Sequence, residues 1–199
     1  MPVNLTVVYY SATGTTHQLA KAIEQGAKTA GAEVRFRRVA ENAPAEAIQS
    51  NEKWKNHLEA TKDIPEVSHD DLVWADAIIF GTPTRYGLPS AQLKAFIDST
   101  GPLWFEGKLV DKIVSSFTSA STAHGGHETT LVALNNTFYH WGSIIVSPGY
   151  ADKIQFETGN PYGVSFQSNN GELDPDDKSL QAAMFQAKRV VEVTRKFKG

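Results

Sequence analysis

The sequence predicts a doubly wound α/β fold with five parallel strands, and three observations carry the prediction. Residues 5–10, 77–80 and 113–117 are apolar without polar alternation, which marks parallel strands covered on both faces. Stretches with apolar residues at helical spacing separate them. Strand and helix alternate from one end of the chain to the other, the order that right-handed crossovers produce. Strand 5–10 is followed by a helix with Leu19, Ile23 and Ala27 at four-residue steps. A more polar strand, 33–39, comes next, and its Arg35, Arg37 and Arg38 suit an exposed sheet edge. Strand 77–80 leads to a helix marked by Leu93, Phe96 and Ile97, strand 113–117 to one marked by Leu131 and Leu134, and 144–146 supplies the fifth strand. The last helix carries Leu180, Met184, Ala187, Val190, Val191 and Thr194 on one stripe. Its start is predicted from Asp174 as N-cap, Pro175 in the first helical position, and Asp176 and Asp177 at the positive end of the dipole. Segments 40–69 and 147–173 are longer than ordinary α/β connections. They read as two insertions that shape a site or an oligomer contact, the first of them, with Trp54 and His57, partly helical.

With 199 residues and 41% hydrophobic content, residues 1–199 read as a single domain. A net charge of −3 gives no general attraction for nucleic acid. The absence of cysteine removes disulfides, thiolate metal sites and cysteine nucleophiles, and is compatible with a reducing cytosol; a cytoplasmic location is expected. The opening Met1-Pro2-Val3-Asn4 has no charged-then-apolar leader pattern, and no apolar run approaches the roughly 20 residues of a membrane span.

Ligands of an open α/β sheet lie beyond the carboxyl ends of its strands, so three loops are expected to converge. The first, Ser11-Ala12-Thr13-Gly14-Thr15-Thr16, runs from a strand into a helix with four hydroxyls, a pliable glycine and free helix N-terminal N–H groups. It is built to hold a phosphate on neutral donors. It contains no lysine, unlike a Walker loop, so a single terminal phosphate on a larger cofactor fits better than a triphosphate. The second loop is Gly81-Thr82-Pro83-Thr84-Arg85-Tyr86-Gly87-Leu88-Pro89; the third is Thr118-Ser119-Ala120-Ser121-Thr122-Ala123-His124-Gly125-Gly126-His127.

The first loop, with Ala20 and Ile23 after it, resembles the phosphate-loop signature of flavodoxins. Gly81-Thr82-Pro83-Thr84-Arg85-Tyr86-Gly87 together with Thr100-Gly101-Pro102-Leu103-Trp104 resembles the WrbA-type NAD(P)H:quinone oxidoreductases, a flavodoxin-like FMN family. The similarity runs from Leu5 through Tyr150 into Pro161-Tyr162-Gly163. It implies a strand order of 2-1-3-4-5 and an FMN-dependent, two-electron reduction of quinones by NADH or NADPH, ping-pong at the flavin. It also implies that Ser11, Ala12, Thr13, Gly14, Thr15 and Thr16 hold the FMN phosphate, and that Pro83, Thr84, Arg85, Tyr86 and Gly87 border the isoalloxazine. Thr118, Ser119, Ala120, Ser121, Thr122, Gly125 and Gly126 would meet its pyrimidine edge and ribityl chain. His140 matches a flavin-contact histidine, and Trp104, with Tyr86 and His140, lines the substrate side. A homotetramer whose subunits help wall each other's sites is implied as well. The sequence departs from the family at Thr13, where a tyrosine is frequent, and in a third loop poorer in glycine.

Simpler readings stand beside these. Thr15 or Thr16 as an ordinary N-cap, Arg85 as a surface ion-pair partner, Trp104 as core or interface, and His140 as a helix-end histidine are the structural alternatives. His124 and His127 read as loop or helix-start residues rather than metal ligands, and Asp70, Asp71 and the aspartates near 174–177 as helix-start acids. No catalytic side chain is required, because a flavin carries the chemistry and the protein positions it. Two other functions stay open: a flavodoxin-type electron carrier that does not use nicotinamide, and a non-enzymatic regulatory binding protein.

Overall fold

The computed structural model describes residues 2–199. Its first half comprises β1 (Val3–Tyr9), α1 (Thr15–Thr29), β2 (Ala32–Arg38), α2 (Ala45–Gln49), α3 (Glu52–Ala60), α4 (His69–Trp74) and β3 (Ala77–Pro83). The second half comprises α5 (Ala91–Ser99), α6 (Gly101–Phe105), β4 (Ile113–Ala120), α7 (His127–Trp141), β5 (Ile144–Ile145), α8 (Lys153–Thr158), β6 (Ser165–Gln167) and α9 (Asp177–Lys198). The strands pair in parallel in the order β2-β1-β3-β4-β5, as the sequence implies.

The apolar strands are continuous in sequence because each face of the sheet has its own core. Leu5, Val7 and Tyr9 with Ala77 and Ile79 pack beneath α1 and α9, against Leu19, Ile23, Ala183, Ala187 and Val190. Val8, Ile78, Phe80 and Val114 point the other way, onto Leu72, Leu93, Ile97, Leu134, Phe138 and Trp141. The basic edge strand is half-buried and neutralised: Arg35 and Arg37 both reach the Asp71 carboxylate, at 3.1 and 3.0 Å, and Arg38 pairs with Glu66 at 2.9 Å. Asp71 also completes a capping box with Ser68 at the start of α4.

Two expectations are corrected. The sheet has six strands, not five, because Ser165, Phe166 and Gln167 of the second insertion pair with Thr118, Ser119 and Ala120. β5 covers only Ile113 and Val114 at the other end of β4, so one long strand has two short neighbours on the same side. The N-cap of α9 is Asp176, whose carboxylate accepts from Ser179 N–H at 2.8 Å, and not Asp174. Asp174 instead accepts a hydrogen bond from Gln18 of α1 at 2.5 Å, tying the segment just after the second insertion to the first helix.

Candidate functional site

The end of β1 turns into α1 through Gly14, whose φ of +105° lies where a side chain would be strained. Gly14 is the N-cap of α1, and no side chain caps the helix. The first backbone hydrogen bond of the helix runs from Gln18 N–H to the Gly14 carbonyl at 3.0 Å, leaving the N–H groups of the first turn for a ligand. Neither Thr15 nor Thr16 is the N-cap. Thr15 is 6% exposed and lines the cavity above the loop, while Thr16 shares a 2.8 Å hydrogen bond with Ser119 that joins the first loop to the third. Ser11 Oγ accepts from Gly14 N–H at 3.1 Å and holds the turn closed.

The second loop is a two-residue hairpin. Arg85 and Leu88 exchange both backbone hydrogen bonds, and Tyr86 and Gly87 between them have φ values of +54° and +77°. The Tyr86 side chain stands fully in solvent. Thr84 anchors this loop to the third: its N–H donates to the Ser119 carbonyl at 2.8 Å, and its hydroxyl meets Thr130 Oγ1 at 2.5 Å. Thr118 lies behind the surface with its hydroxyl on the Thr82 carbonyl at 2.7 Å, so it supports the loops from below.

The three loops together form a continuous polar groove. A cavity of about 250 Å³ is lined by Ser11, Ala12, Thr13, Thr15, Thr16, Pro83, Arg85, Ser119, Ala120 and Ser121. A wider, open one of about 640 Å³ is lined by Thr84, Arg85, Tyr86, Gly87, Ala120, Ser121, Thr122, Gly125 and Gly126. Arg85, Ala120 and Ser121 belong to both, so the narrow end and the broad end meet. The shape suits a phosphate tail attached to a flat ring system. Arg85 is the cation common to the two parts.

Trp104 and His140 are placed elsewhere. They touch one another, Trp104 Nε1 donating to the His140 carbonyl at 2.8 Å, and line a separate surface cavity with Thr100, Gly101 and Trp141. His140 is at the far end of α7, whose length from the third loop corresponds to about 20 Å. Within one chain, therefore, neither residue walls the groove that its sequence motif implied. Of the two loop histidines, His124 lines the wide cavity, and His127 opens α7 with Nε2 at 3.3 Å from the Phe166 carbonyl. Among the described residues no group of three or more metal-ligating side chains is assembled.

Sequence reasoning missed several residues at the site. Asn51, Ser168, Asn170 and Gly171, all from the insertions, complete the narrow cavity, and Thr129 completes the wide one. Glu41 holds the first insertion in place. Its carboxylate accepts from Tyr10, Trp54 and Gln92, each at 2.8 Å, and from the Ala43 N–H at 2.9 Å. Burial pushes the Glu41 pKa up, but these donors outweigh it and hold the group below the ordinary carboxylate range. No local pattern encodes this cluster, since Tyr10, Trp54 and Gln92 come from three segments distant in sequence.

Beside the first loop, the Tyr9 hydroxyl meets His17 Nδ1 at 2.7 Å, and the His57 ring lies 5.3 Å from that of His17. Burial, followed by the neighbouring His57 and Lys21, pushes the His17 pKa from 6.5 down to about 4. The unfolded chain thus takes up a proton that the folded chain refuses. Stability from His17 is full above pH 6.5 and is lost as the pH falls toward 4. Allowing for partial exposure, the loss is roughly 1–2 kcal/mol. Urea midpoints at several values across this window should show the wild type losing more stability than His17→Gln, and equal slopes would refute the assignment.

A 2-1-3-4-5 parallel sheet with an uncapped helix N-terminus and a polar groove at its carboxyl edge defines a protein of the flavodoxin-like class. The chain belongs to the NADPH-dependent FMN reductase family, whose sequence model matches residues 5–155. It is 44% identical over 199 residues to an NAD(P)H dehydrogenase (quinone) of Deinococcus radiodurans, covering 100% of this chain and 98% of that one. Another protein of that name, from Geotalea uraniireducens, is 40% identical, with 94% and 95% covered. Among solved structures, a flavodoxin, WrbA-like protein from Agrobacterium tumefaciens superposes with a TM-score of 0.70 at 30% identity, with 98% of each chain covered. No helix among the described residues is long and apolar enough to cross a membrane.

Proposed function

We propose that this chain is an FMN-dependent NAD(P)H:quinone oxidoreductase. One observation carries the reading: the uncapped first turn of α1 opens onto a groove whose narrow polar end and broad end share Arg85. Family membership and the names of its relatives agree with it. When bound, FMN would supply the redox chemistry, accepting a hydride from NADH or NADPH and passing two electrons to a quinone in alternating half-reactions. The residues of this chain do the rest. Ser11, Thr13, Thr15 and the α1 N–H groups would hold the phosphate, and Arg85 would set its charge against the anion and the ring edge. Thr84 fixes the second and third loops against each other, so the broad end keeps its width.

Trp104 and His140 enter this reading through a neighbouring subunit. Both are on an exposed surface of α6 and α7 that also carries Phe105 and Tyr139, at 85% and 69% exposure. In a homotetramer that surface would cover the open end of another protomer's groove, where Tyr86 stands uncovered. The expected setting is the cytoplasm, where the nicotinamide donors are found.

A single set of measurements tests the proposal. Purified protein given FMN should develop a bound-flavin spectrum, bleach anaerobically with NADH or NADPH, and recover on adding benzoquinone. Initial rates should give parallel double-reciprocal lines, and the active species should sediment as a tetramer. Bound flavin that no nicotinamide bleaches would point instead to an electron carrier; absence of flavin binding would overturn both readings. A fully active monomer would remove the subunit contribution.

A further inference from the structure

The phosphate loop has no cation of its own, and its outer wall is made by residues outside the flavodoxin-like core. Asn51 caps α3 from the first insertion, and Asn170 and Gly171 come from the second. A single side chain joins the two insertions there: Lys53 Nζ donates to the Gly171 carbonyl at 2.9 Å. The turn it grips is tied to the sheet and closed on itself by backbone hydrogen bonds. Ser168 N–H donates to the Ala120 carbonyl at 2.7 Å at the tip of β4, and Gly171 N–H returns to the Ser168 carbonyl at 2.9 Å. Asn169, Asn170 and Gly171 are all left-handed, with φ of +46°, +58° and +79°. Gly171 presses so near the phosphate loop that a Cβ there would come within 3.3 Å of Thr13 Oγ1.

We propose that this clasp, Lys53 holding the Asn170–Gly171 turn over Thr13, closes the phosphate end of the groove and selects flavins that end in a phosphomonoester over dinucleotide flavins. The inference rests on the flavin reading above and adds the residues that choose among flavins. The chemistry supports the choice in two ways. A monoester carries up to two charges and three terminal oxygens, which match the hydroxyl and N–H donors around the loop. The corresponding phosphorus of a dinucleotide carries one ester and one anhydride bond, with one charge and one fewer terminal oxygen. Its second phosphate and adenosine, extending past the narrow end, would meet the wall that Asn51, Asn170 and Gly171 make there. Lys53 is thus a positioning residue: it acts through the turn, and adds a positive charge at the rim.

Protein freed of flavin is titrated with FMN, FAD and riboflavin, following quenching of flavin fluorescence. The wild type should prefer FMN over FAD by about 100-fold or more, a difference that one blocked exit is large enough to impose. Lys53→Ala should narrow that ratio at least about tenfold, chiefly through tighter FAD binding, with its unfolding midpoint unchanged because Lys53 is an exposed side chain. Lys53→Arg, which can still donate to the Gly171 carbonyl, should restore the wild-type ratio. Equal binding of FMN and FAD by the wild type would overturn the clasp while leaving the flavin reading in place, as would an unchanged ratio in Lys53→Ala. If the wild type binds none of the three flavins, it is the flavin reading that fails.

Discussion

Thr15→Glu is expected to abolish FMN binding while leaving the fold intact. Thr15 is the first residue of α1, is 6% exposed, and lines the narrow cavity at the uncapped helix end. A carboxylate there would occupy the place proposed for a phosphate dianion and replace a hydroxyl donor with an acceptor. Two unit charges about 4 Å apart at an effective dielectric constant near 20 repel by about 4 kcal/mol, which corresponds to a loss of roughly 1000-fold in affinity. The same charge has the opposite sign of effect on the helix, since an acid in the first turn stabilises it by about 0.3–1 kcal/mol. Binding and folding should therefore separate: flavin fluorescence quenching disappears, and the thermal midpoint holds or rises. Thr15→Ser, which keeps the hydroxyl, should bind FMN nearly as the wild type does. An unchanged FMN affinity in Thr15→Glu would refute the assignment of the loop.

What the sequence made legible was whatever is encoded locally. Strands β1, β3 and β4 are visible because both of their faces are buried, and Val8 and Phe80 serve one core while Val7 and Ile79 serve the other. The three loops are visible because strand ends, glycines and hydroxyls follow one another in a few residues. The walls of the same site are not local. Asn51 and Gly171 are brought together across more than half the chain by a lysine and a backbone carbonyl, a contact with no sequence signature. β6 is hidden for a related reason. Ser165-Phe166-Gln167 has too few residues and too little apolar character to read as a strand, and exists as one only because the upper half of β4 has an open edge. The N-cap of α9 was misplaced because Asp174 and Asp176 both have the required side chain, and only Asp176 reaches Ser179 N–H. Trp104 and His140 show the opposite limit: their motif resembles one that lines a flavin site, yet within one chain they line a separate surface cavity.

Gly26→Ala should destabilise the protein by about 2 kcal/mol, although alanine is the better helix former by nearly 1 kcal/mol. Gly26 lies in α1 where that helix crosses α9, and the two make the largest helix contact in the fold. A Cβ at Gly26 would stand 2.4 Å from the Met184 carbonyl oxygen and 2.6 Å from Met184 Cα. Both are backbone atoms, so no change of rotamer relieves the overlap, and the helices must move apart. That separation loosens the packing of Ala27, Ala183 and Ala187, small residues that permit the close approach. For a chain of 199 residues, 2 kcal/mol corresponds to a fall in Tm of about 4–8 °C. Alanine at Gln25, exposed on the same helix, isolates propensity from packing and should leave Tm nearly unchanged. The end of α1 proposed to hold the phosphate is about three turns from Gly26, so FMN affinity should fall far less than stability does. A Tm that rises in Gly26→Ala would mean that the helices separate without cost, and the contact between α1 and α9 would then not be what fixes the helix behind the first loop.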